Sequence, residues 1–280
     1  MAIIIIDSTQ IHYIDNHRET DKVILFIHGN SHSSRTFRHQ FQNQQLNEYR
    51  LIALDLPGHG DSGALNEYSL AKFTHILTEF VEQLDLKEII LVGHSLGGHI
   101  AIEAISQINP KGIFIFGTPP LSIPLEMGGF KANKDLELVF KDELSDSEVT
   151  QLAKNFYSKS EIDVIDLEDI KKTHEGFRFS MFQSFGAQLF QDEVKITNAF
   201  AGHKAFILGT QDKVINANYL NDKIDLSGVW QNKIIEIDSS HNLHIENYQE
   251  MNALIVDFAA SVFEFDLLPN NIHIANEARA

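Results

Sequence analysis

The sequence predicts an α/β fold with a mostly parallel, doubly wound sheet and a helical cap inserted into it. Short continuous apolar runs alternate with segments of helical periodicity, which is typical of strands buried on both faces and joined by helices. The alternation stops between residues 121 and 195 and then resumes. A chain of 280 residues can bury enough apolar surface to fold in this way without covalent cross-links.

The individual elements follow from the period of the apolar residues and from the turn residues between the runs. Continuous or alternating apolar runs predict strands, and apolar residues at three- and four-residue spacing predict helices. Strands are expected at residues 3–6, 11–14, 23–27, 51–54, 89–92, 113–116, 205–208 and 234–237, and helices at 69–85, after the turn at 93–97 through 108, and at 247–265.

The interruption of the strand–helix alternation defines the predicted domains. Residues 121–195 contain helical and charged stretches but no convincing buried strand. Loops of this length are usually functional, so we expect a helical cap here. Residues 1–120 and 196–266 are expected to form the core, and residues 267–280, which are polar, a C-terminal tail.

The composition excludes several classes of function. With 22 basic and 39 acidic residues the net charge is −17, which argues against nucleic acid or an anionic membrane as a partner because phosphate contact needs a basic face. The absence of cysteine excludes thiolate zinc sites, iron–sulfur clusters and a cysteine nucleophile. No targeting signal or membrane span is evident, so a cytoplasmic location is expected, and the oligomeric state is left open.

Ser95 is the predicted nucleophile. It lies in Gly93-His94-Ser95-Leu96-Gly97, a G-x-S-x-G motif that stands between a buried strand and a helix. The motif alone would occur by chance in about 6% of shuffled chains, so this position between strand and helix is what makes it informative. There the flanking glycines permit a sharp turn that exposes the serine, and the helix N-terminus directs its free N–H groups toward it.

The acid that supports such a nucleophile is expected after a late strand. The strand at 205–208 leads into Asp212, whereas the strand that ends at Phe116 leads into no carboxylate. Asp212 is therefore the predicted acid. Asp238 and Asp222 are the alternatives, each readable as a solvated loop carboxylate.

The predicted general base is His241, which follows the last strand. The order Ser95, Asp212, His241 gives the serine–acid–histidine succession of one class of hydrolase. His244 is the competing base, while His94 and His59 lie in turns and are expected to hydrogen-bond the scaffold.

A catalytic metal is the alternative use of these histidines. His241 and His244 have H-x-x-H spacing, and His94 and His99 could join them. No H-x-H-x-D-H or H-E-x-x-H pattern is present, so neither a metal nor another cofactor is expected.

An acyl-transfer site also needs hydrogen-bond donors for the oxyanion. His28-Gly29-Asn30 follows the strand at 23–27, which predicts the backbone N–H groups of Asn30 and Leu96 as donors. The Asn30 side chain has an alternative use as a cap of the following turn.

These motifs together resemble the α/β-hydrolase superfamily over nearly the whole chain. A narrower resemblance is to the metal-independent N-acyl-homoserine lactonase type, in which the acid can be Glu. The resemblance implies a Ser95–Asp212–His241 triad and opening of a lactone ring without a metal. It thins after about residue 150. The narrower resemblance is carried by residues 28–34, 95–100, 117–120 and 129–131.

The cap is the expected location of the acyl pocket. Eight of the 20 phenylalanines lie in it, which favours a small, neutral, apolar ester or lactone as substrate. The same rings could instead pack the cap onto the core. The alternative activities are a carboxylesterase or a C–C bond hydrolase, and a non-catalytic ligand receptor is disfavoured by the intact triad. The predicted pocket residues are Phe130, Phe177, Phe179, Phe182 and Phe185.

Overall fold

The computed structural model describes residues 2–159 and 161–265, and within them eight strands form one sheet. The predicted tail at 267–280 lies outside the described residues. The strands are β1 (Ala2–Ile6), β2 (Thr9–Asp15), β3 (Val23–Ile27), β4 (Arg50–Leu54), β5 (Ile89–His94), β6 (Gly112–Phe116), β7 (His203–Gly209) and β8 (Ile235–Ile237).

The sheet has the order β1-β2-β4-β3-β5-β6-β7-β8. β1 pairs antiparallel with β2 and β2 antiparallel with β4, so the predicted opening hairpin forms one edge. All the remaining pairs are parallel. The carboxyl ends of β3 to β8 therefore meet along one edge of the sheet, where open α/β sheets bind their ligands.

The helices cover both faces of this sheet, as the buried strands require. Alternate residues of β3 show this directly, because Leu25 packs in one apolar cluster and Phe26 in the other. The predicted doubly wound α/β fold is confirmed. The α-helices are α1 (Arg38–Phe41), α2 (Leu70–Gln83), α3 (Leu96–Glu103), α4 (Ile105–Ile108), α5 (Asp146–Asn155), α6 (Val164–Lys172), α7 (Phe177–Gly186), α8 (Glu193–Ala199), α9 (Ala217–Lys223), α10 (Leu243–Glu246) and α11 (Tyr248–Phe265).

Most predicted element ends lie within about two residues of the observed ones, and two other differences concern helices. The helix expected to run through residue 108 is divided at Ala104 into α3 and α4. The expected end of the cap at residue 195 falls inside α8, because the Asp192 side chain accepts a hydrogen bond from the Lys195 amide and starts the helix there. The cap remains a proposed unit, and its helices α5, α6 and α7 lie between β6 and β7.

The hydropathy of the helices bears on the membrane prediction. In the described part of the chain no helix is long and apolar enough to cross a membrane.

Gly97 is a position where the fold depends on the absence of a side chain. A Cβ atom there would overlap the backbone carbonyl groups of Ile27 and His28, at the end of β3. Because backbone cannot move aside as a flexible side chain can, we expect Gly97→Ala to destabilise the protein by about 3 kcal/mol in urea unfolding. The control is Gly186→Ala in α7, whose Cβ would have no atom within 4 Å. Equal stability of the two variants would contradict this packing argument.

Candidate active site

Ser95 occupies the sharp turn between β5 and α3. Its backbone has φ 49° and ψ −115°, a left-handed conformation for a residue with a side chain. Such a conformation costs about 1–3 kcal/mol and persists only where the surroundings enforce it. Here the Ser95 amide donates to the Phe116 carbonyl at 3.0 Å, and the Ser95 carbonyl accepts from the Thr118 hydroxyl at 2.9 Å. The turn thus holds Ser95 between the carboxyl ends of β5 and β6.

His241 and Asp212 form a buried pair on the loops that follow β8 and β7. His241 Nδ1 lies 2.9 Å from Asp212 Oδ2, and both residues are buried. The other oxygen of Asp212 accepts from the amides of Val214 and Ile215 at 2.6 and 3.0 Å. Burial alone would raise the pKa of Asp212, but His241 and these two amides outweigh it and lower that pKa. Asp212 is therefore an ionised partner that fixes the imidazole ring.

The Phe116–Gly117 turn brings His241 next to Ser95. A Cβ atom at Gly117 would lie 3.1 Å from Cε1 of His241, and the neighbouring Phe116 carbonyl accepts from the Ser95 amide. His94, which precedes the serine, donates through Nε2 to the His241 carbonyl at 3.1 Å. The structure therefore places Asp212 and His241 in direct contact and Ser95 near them, at the carboxyl edge of the sheet.

The alternative acids and the alternative base lie elsewhere. Asp238 and Asp222 are both exposed. His244 is fully buried and hydrogen-bonded to the Thr36 hydroxyl at 2.6 Å through Nε2. Burial holds the pKa of His244 well below its usual value. His59 contacts the Pro57 carbonyl through Nδ1 at 3.1 Å, and so binds the scaffold.

The histidines considered for a metal site do not form one. His99 lies on α3 and its Nδ1 is 2.7 Å from Glu193 Oε2. His94 packs against His244 and His241 with tilted rings, whose centroids are 4.6 and 5.0 Å from its own. Over residues 2–159 and 161–265, no group of three or more His, Cys, Asp or Glu side chains is arranged to hold a metal ion.

The Gly29–Asn30 peptide lies directly against Ser95. A Cβ atom at Gly29 would be 3.2 Å from the Ser95 Cβ, so glycine permits the close approach. The Asn30 side chain accepts from the Ser31 hydroxyl at 2.6 Å. It does not cap the following 3₁₀ turn, whose N-cap is Ser33.

His28 orients this peptide, a function that sequence reasoning did not identify. Its Nδ1 donates to the Gly29 carbonyl at 2.8 Å, and its Nε2 accepts from the Leu56 amide at 2.9 Å. Burial lowers the pKa of His28 to about 4, so the ring is neutral near pH 7. The His32 amide also donates to the Gly29 carbonyl, at 3.3 Å. With its carbonyl held in this way, the peptide presents the Asn30 N–H in one orientation.

The predicted pocket phenylalanines are distributed over different environments. Phe177 is fully buried against His59 and Tyr68, with ring centroids 4.4 and 5.3 Å away, which is the packing role that was the alternative for these rings. Phe179 and Phe182 are about half exposed, at 51% and 52%.

The other two predicted pocket residues are partly buried. Phe185 packs on the main apolar cluster. Phe130 forms an antiparallel β-bridge with Ile215, which follows Asp212 by three positions in the sequence. Of the five, Phe130 is therefore the one that the backbone pairing brings close to Asp212.

Phe156 is a cap aromatic that contacts His241, the predicted base, and the sequence did not predict this contact. Its ring centroid lies 5.5 Å from that of His241. Its carbonyl accepts from the Ser240 hydroxyl at 2.5 Å and from the Asn242 amide at 3.0 Å, on either side of His241. Because Phe156 reaches the site through the fold of the cap, no local sequence pattern distinguishes it from the other phenylalanines.

Glu103 lies on α3, the helix that follows Ser95, and its burial predicts how the stability of the protein depends on pH. It is only 1% exposed, and burial raises its pKa to about 7. Between about pH 4.5 and 7 the folded state therefore keeps a proton on Glu103 that the unfolded state has lost. The contribution of Glu103 to stability falls as pH rises through this range, by at most ~1.4 kcal/mol per pH unit.

The isosteric variant Glu103→Gln should lack this dependence because a side-chain amide does not titrate. Its oxygen can still accept from the backbone amide of Gln191, which lies 2.8 Å from Glu103 Oε1. Urea unfolding of both proteins between pH 5 and 8.5 measures it. We expect the variant to gain stability relative to the wild type as pH rises, and a difference independent of pH would contradict the assignment.

The strand order, the serine turn and the acid–histidine pair define the class of protein. The family model described as the alpha/beta hydrolase family matches residues 24–254, and the chain belongs to this family.

Individual relatives narrow the comparison. The chain is similar to the N-acyl homoserine lactonase AidH in its complex with N-hexanoyl homoserine lactone, with 25% identity, a TM-score of 0.88 and coverage of 94% of this chain and 98% of that one. The complex of AidH with N-butanoyl homoserine gives 26% identity, a TM-score of 0.87 and coverage of 93% and 96%.

Curated relatives match over shorter segments. A Mycoplasma pneumoniae protein that carries the name esterase/lipase 2 is 34% identical over 80 residues, which is 28% of this chain and 30% of the relative. The 2-succinyl-6-hydroxy-2,4-cyclohexadiene-1-carboxylate synthase of Enterobacter sp. (strain 638) is 36% identical over 90 residues, 32% of this chain and 34% of the relative. The chain thus spans about a third of the length of these two relatives.

Proposed function

We propose that this protein is a serine hydrolase that opens the lactone ring of N-acyl-homoserine lactones through an acyl-enzyme. The observation that carries the proposal is the strained Ser95 turn beside the buried Asp212–His241 pair. Similarity to AidH over nearly the full length of both chains supports lactones as the substrate class.

The reaction follows from the roles that the site geometry allows. His241 accepts the Ser95 proton as Oγ attacks the lactone carbonyl carbon, and Asp212 stabilises the imidazolium. The Asn30 and Leu96 amides bind the oxyanion, and each such donor is worth roughly 3 kcal/mol in the transition state. His241 then gives the proton to the ring oxygen as the C–O bond breaks, leaving an acyl-enzyme with a tethered hydroxyl.

Hydrolysis of the acyl-enzyme completes the cycle. His241 removes a proton from water, the resulting hydroxide attacks the acyl carbon, and the Ser95 oxygen leaves with the proton. The tethered hydroxyl has a high effective concentration, so ring closure competes with water. The cap must therefore direct this hydroxyl away, and Phe156, which packs beside His241, is the apolar surface next to the base.

The experiment is a pH-indicator assay of N-acyl-homoserine lactones with acyl chains of four to twelve carbons, run beside p-nitrophenyl esters of the same acids. Ring opening releases a carboxylic acid from each lactone. We expect kcat/KM for the best lactone to exceed that for the matched ester by about 100-fold, which corresponds to roughly 2.7 kcal/mol of transition-state binding.

Two outcomes would redirect the proposal. Faster turnover of the p-nitrophenyl esters would identify a carboxylesterase, the alternative supported by the esterase/lipase relative. Loss of lactone hydrolysis after dialysis against EDTA, with restoration by a divalent cation, would overturn the metal-independent mechanism.

A further inference from the structure

A buried carboxylate of the cap joins the two loops of the proposed catalytic site. Asp166 lies on α6 and is fully buried. Its Oδ2 atom accepts from Asn242 Nδ2 at 2.7 Å and from the Tyr157 hydroxyl at 2.6 Å, and it lies 3.3 Å from His32 Nε2. One oxygen atom thus binds the residue after His241, a cap residue and the loop that carries Asn30.

His32 transmits this contact to the predicted oxyanion donor. Its Nδ1 lies 3.0 Å from the Asn30 carbonyl while its Nε2 faces Asp166. The Asn30 carbonyl and Asp166 Oδ2 are both acceptors, so an imidazolium donates to both of them, and Asn242 Nδ2 lies 3.4 Å from Nε2 as well. His32 and Asp166 have no exposed side-chain surface, so their contact is buried at the cap–core boundary and is an ion pair when the ring is protonated.

Asn242 transmits the contact to the other loop. It follows His241 directly, and its amide donates to the Phe156 carbonyl at 3.0 Å, so both its side chain and its backbone are bound to the cap. Glu246 reinforces this docking by accepting from the amides of Ser158 and Ser240 at 3.1 and 3.2 Å. The loop that carries His241 is therefore hydrogen-bonded to residues of the cap.

We propose that Asp166 is a positioning residue that fixes the Asn30 loop and the His241 loop relative to each other, so that the cap completes the catalytic geometry. The inference rests on the proposed serine mechanism. Breaking a buried ion pair leaves an uncompensated charge, and a displacement of about 1 Å in a catalytic group can lower the rate about 100-fold. Among the described residues Asp166 hydrogen-bonds to His32, Tyr157 and Asn242 and not to Ser95 or the His241 ring, so it acts through His32 and Asn242.

The charge of His32 is a direct readout of this arrangement. Burial alone would lower its pKa, but Asp166, Asp169 and the Asn30 carbonyl outweigh it and raise that pKa. Long-range ¹H–¹⁵N spectra at pH 7 should show an imidazolium in the wild type and a neutral ring in Asp166→Asn. The titratable groups that face His32 are Asp166, Asp169 and Tyr157 of the cap and His28, His59, His94 and His244 of the core.

The test compares the second-order rate of fluorophosphonate labelling, which reports serine activation without reference to the substrate, with kcat and KM on the best ester or lactone. We expect Asp166→Asn to lower the labelling rate and kcat by about 10- to 100-fold with KM changed less than about threefold. His32→Gln should show a similar loss, and the double variant little more, because both remove one connection.

Asp169→Asn is the matched control. Asp169 is also buried on α6, one turn further along, where it accepts from the Ser33 hydroxyl at 2.5 Å and pairs with Arg35. Its loss should reduce stability but change the labelling rate less than about threefold.

Three outcomes are distinguishable. No labelling of the wild type would refute the serine mechanism itself. A labelled wild type with unchanged rates in Asp166→Asn and His32→Gln would overturn the positioning role alone, and so would an equal loss in Asp169→Asn. If Asp166→Asn does not fold, the labelling rate of His32→Gln and the spectrum of the His32 ring in the wild type decide the question.

Discussion

Ser95→Ala is expected to abolish fluorophosphonate labelling and to lower kcat by roughly 10⁴-fold or more, because the covalent step has no other nucleophile. Lactone or ester turnover and mass spectrometry of the labelled protein measure the two effects. The control is Ser147→Ala on α5, an exposed serine that should leave both unchanged. Labelling of Ser95→Ala at the wild-type rate would place the reactive serine elsewhere.

The same position should show a stability effect that separates strain from chemistry. Alanine inherits the unfavourable backbone conformation of Ser95, at φ 49°, whereas glycine adopts such a conformation readily. Ser95→Gly should therefore be more stable than Ser95→Ala by about 1 kcal/mol in urea unfolding, although both lack activity. The difference would show that the fold keeps a strained backbone at Ser95, the conformation that holds this side chain at the turn.

Local signals explain why much of the fold and site could be predicted. Strands such as Val23–Ile27 are buried at every residue, so their composition alone identifies them. Ser95 follows β5 directly, Asp212 and His241 lie in the short loops after β7 and β8, and the shared edge of parallel strands brings such loops together. Their positions after parallel strands were therefore enough to predict that the three side chains lie close together.

Most of the contacts that could not be predicted depend on the path of the cap. Asp166 and His32 are 134 positions apart in sequence, and no periodic pattern relates a buried carboxylate on one helix to a loop in the core. Phe177 illustrates the same limit, because its ring fills the space between His59 and Tyr68. Eight cap phenylalanines look equivalent in sequence, and only the packing of the helices distinguishes Phe156 beside His241.

Asp212→Asn is expected to lower kcat by about 10⁴-fold, through the tautomer of His241. Asp212 Oδ2 lies 2.9 Å from His241 Nδ1 and accepts a hydrogen bond from its N–H, which leaves Nε2 free to act as the base. An asparagine amide in this place can instead donate to Nδ1, so that the ring proton moves to Nε2 and blocks proton transfer from Ser95. Measured at saturating substrate, the loss should appear in kcat with little change in KM.

A matched substitution at Asp238 tests whether Asp212 or Asp238 is the acid. Asp238→Asn alters an exposed carboxylate on the next loop, which binds the Gln211 side chain at 2.5 Å and should change kcat less than about twofold. Asp212→Glu should retain more activity than Asp212→Asn, because glutamate keeps the charge that stabilises the imidazolium. The reverse ranking of Asp212→Asn and Asp238→Asn would assign the acid to the loop after β8 and would leave the buried Asp212–His241 pair as a purely structural contact.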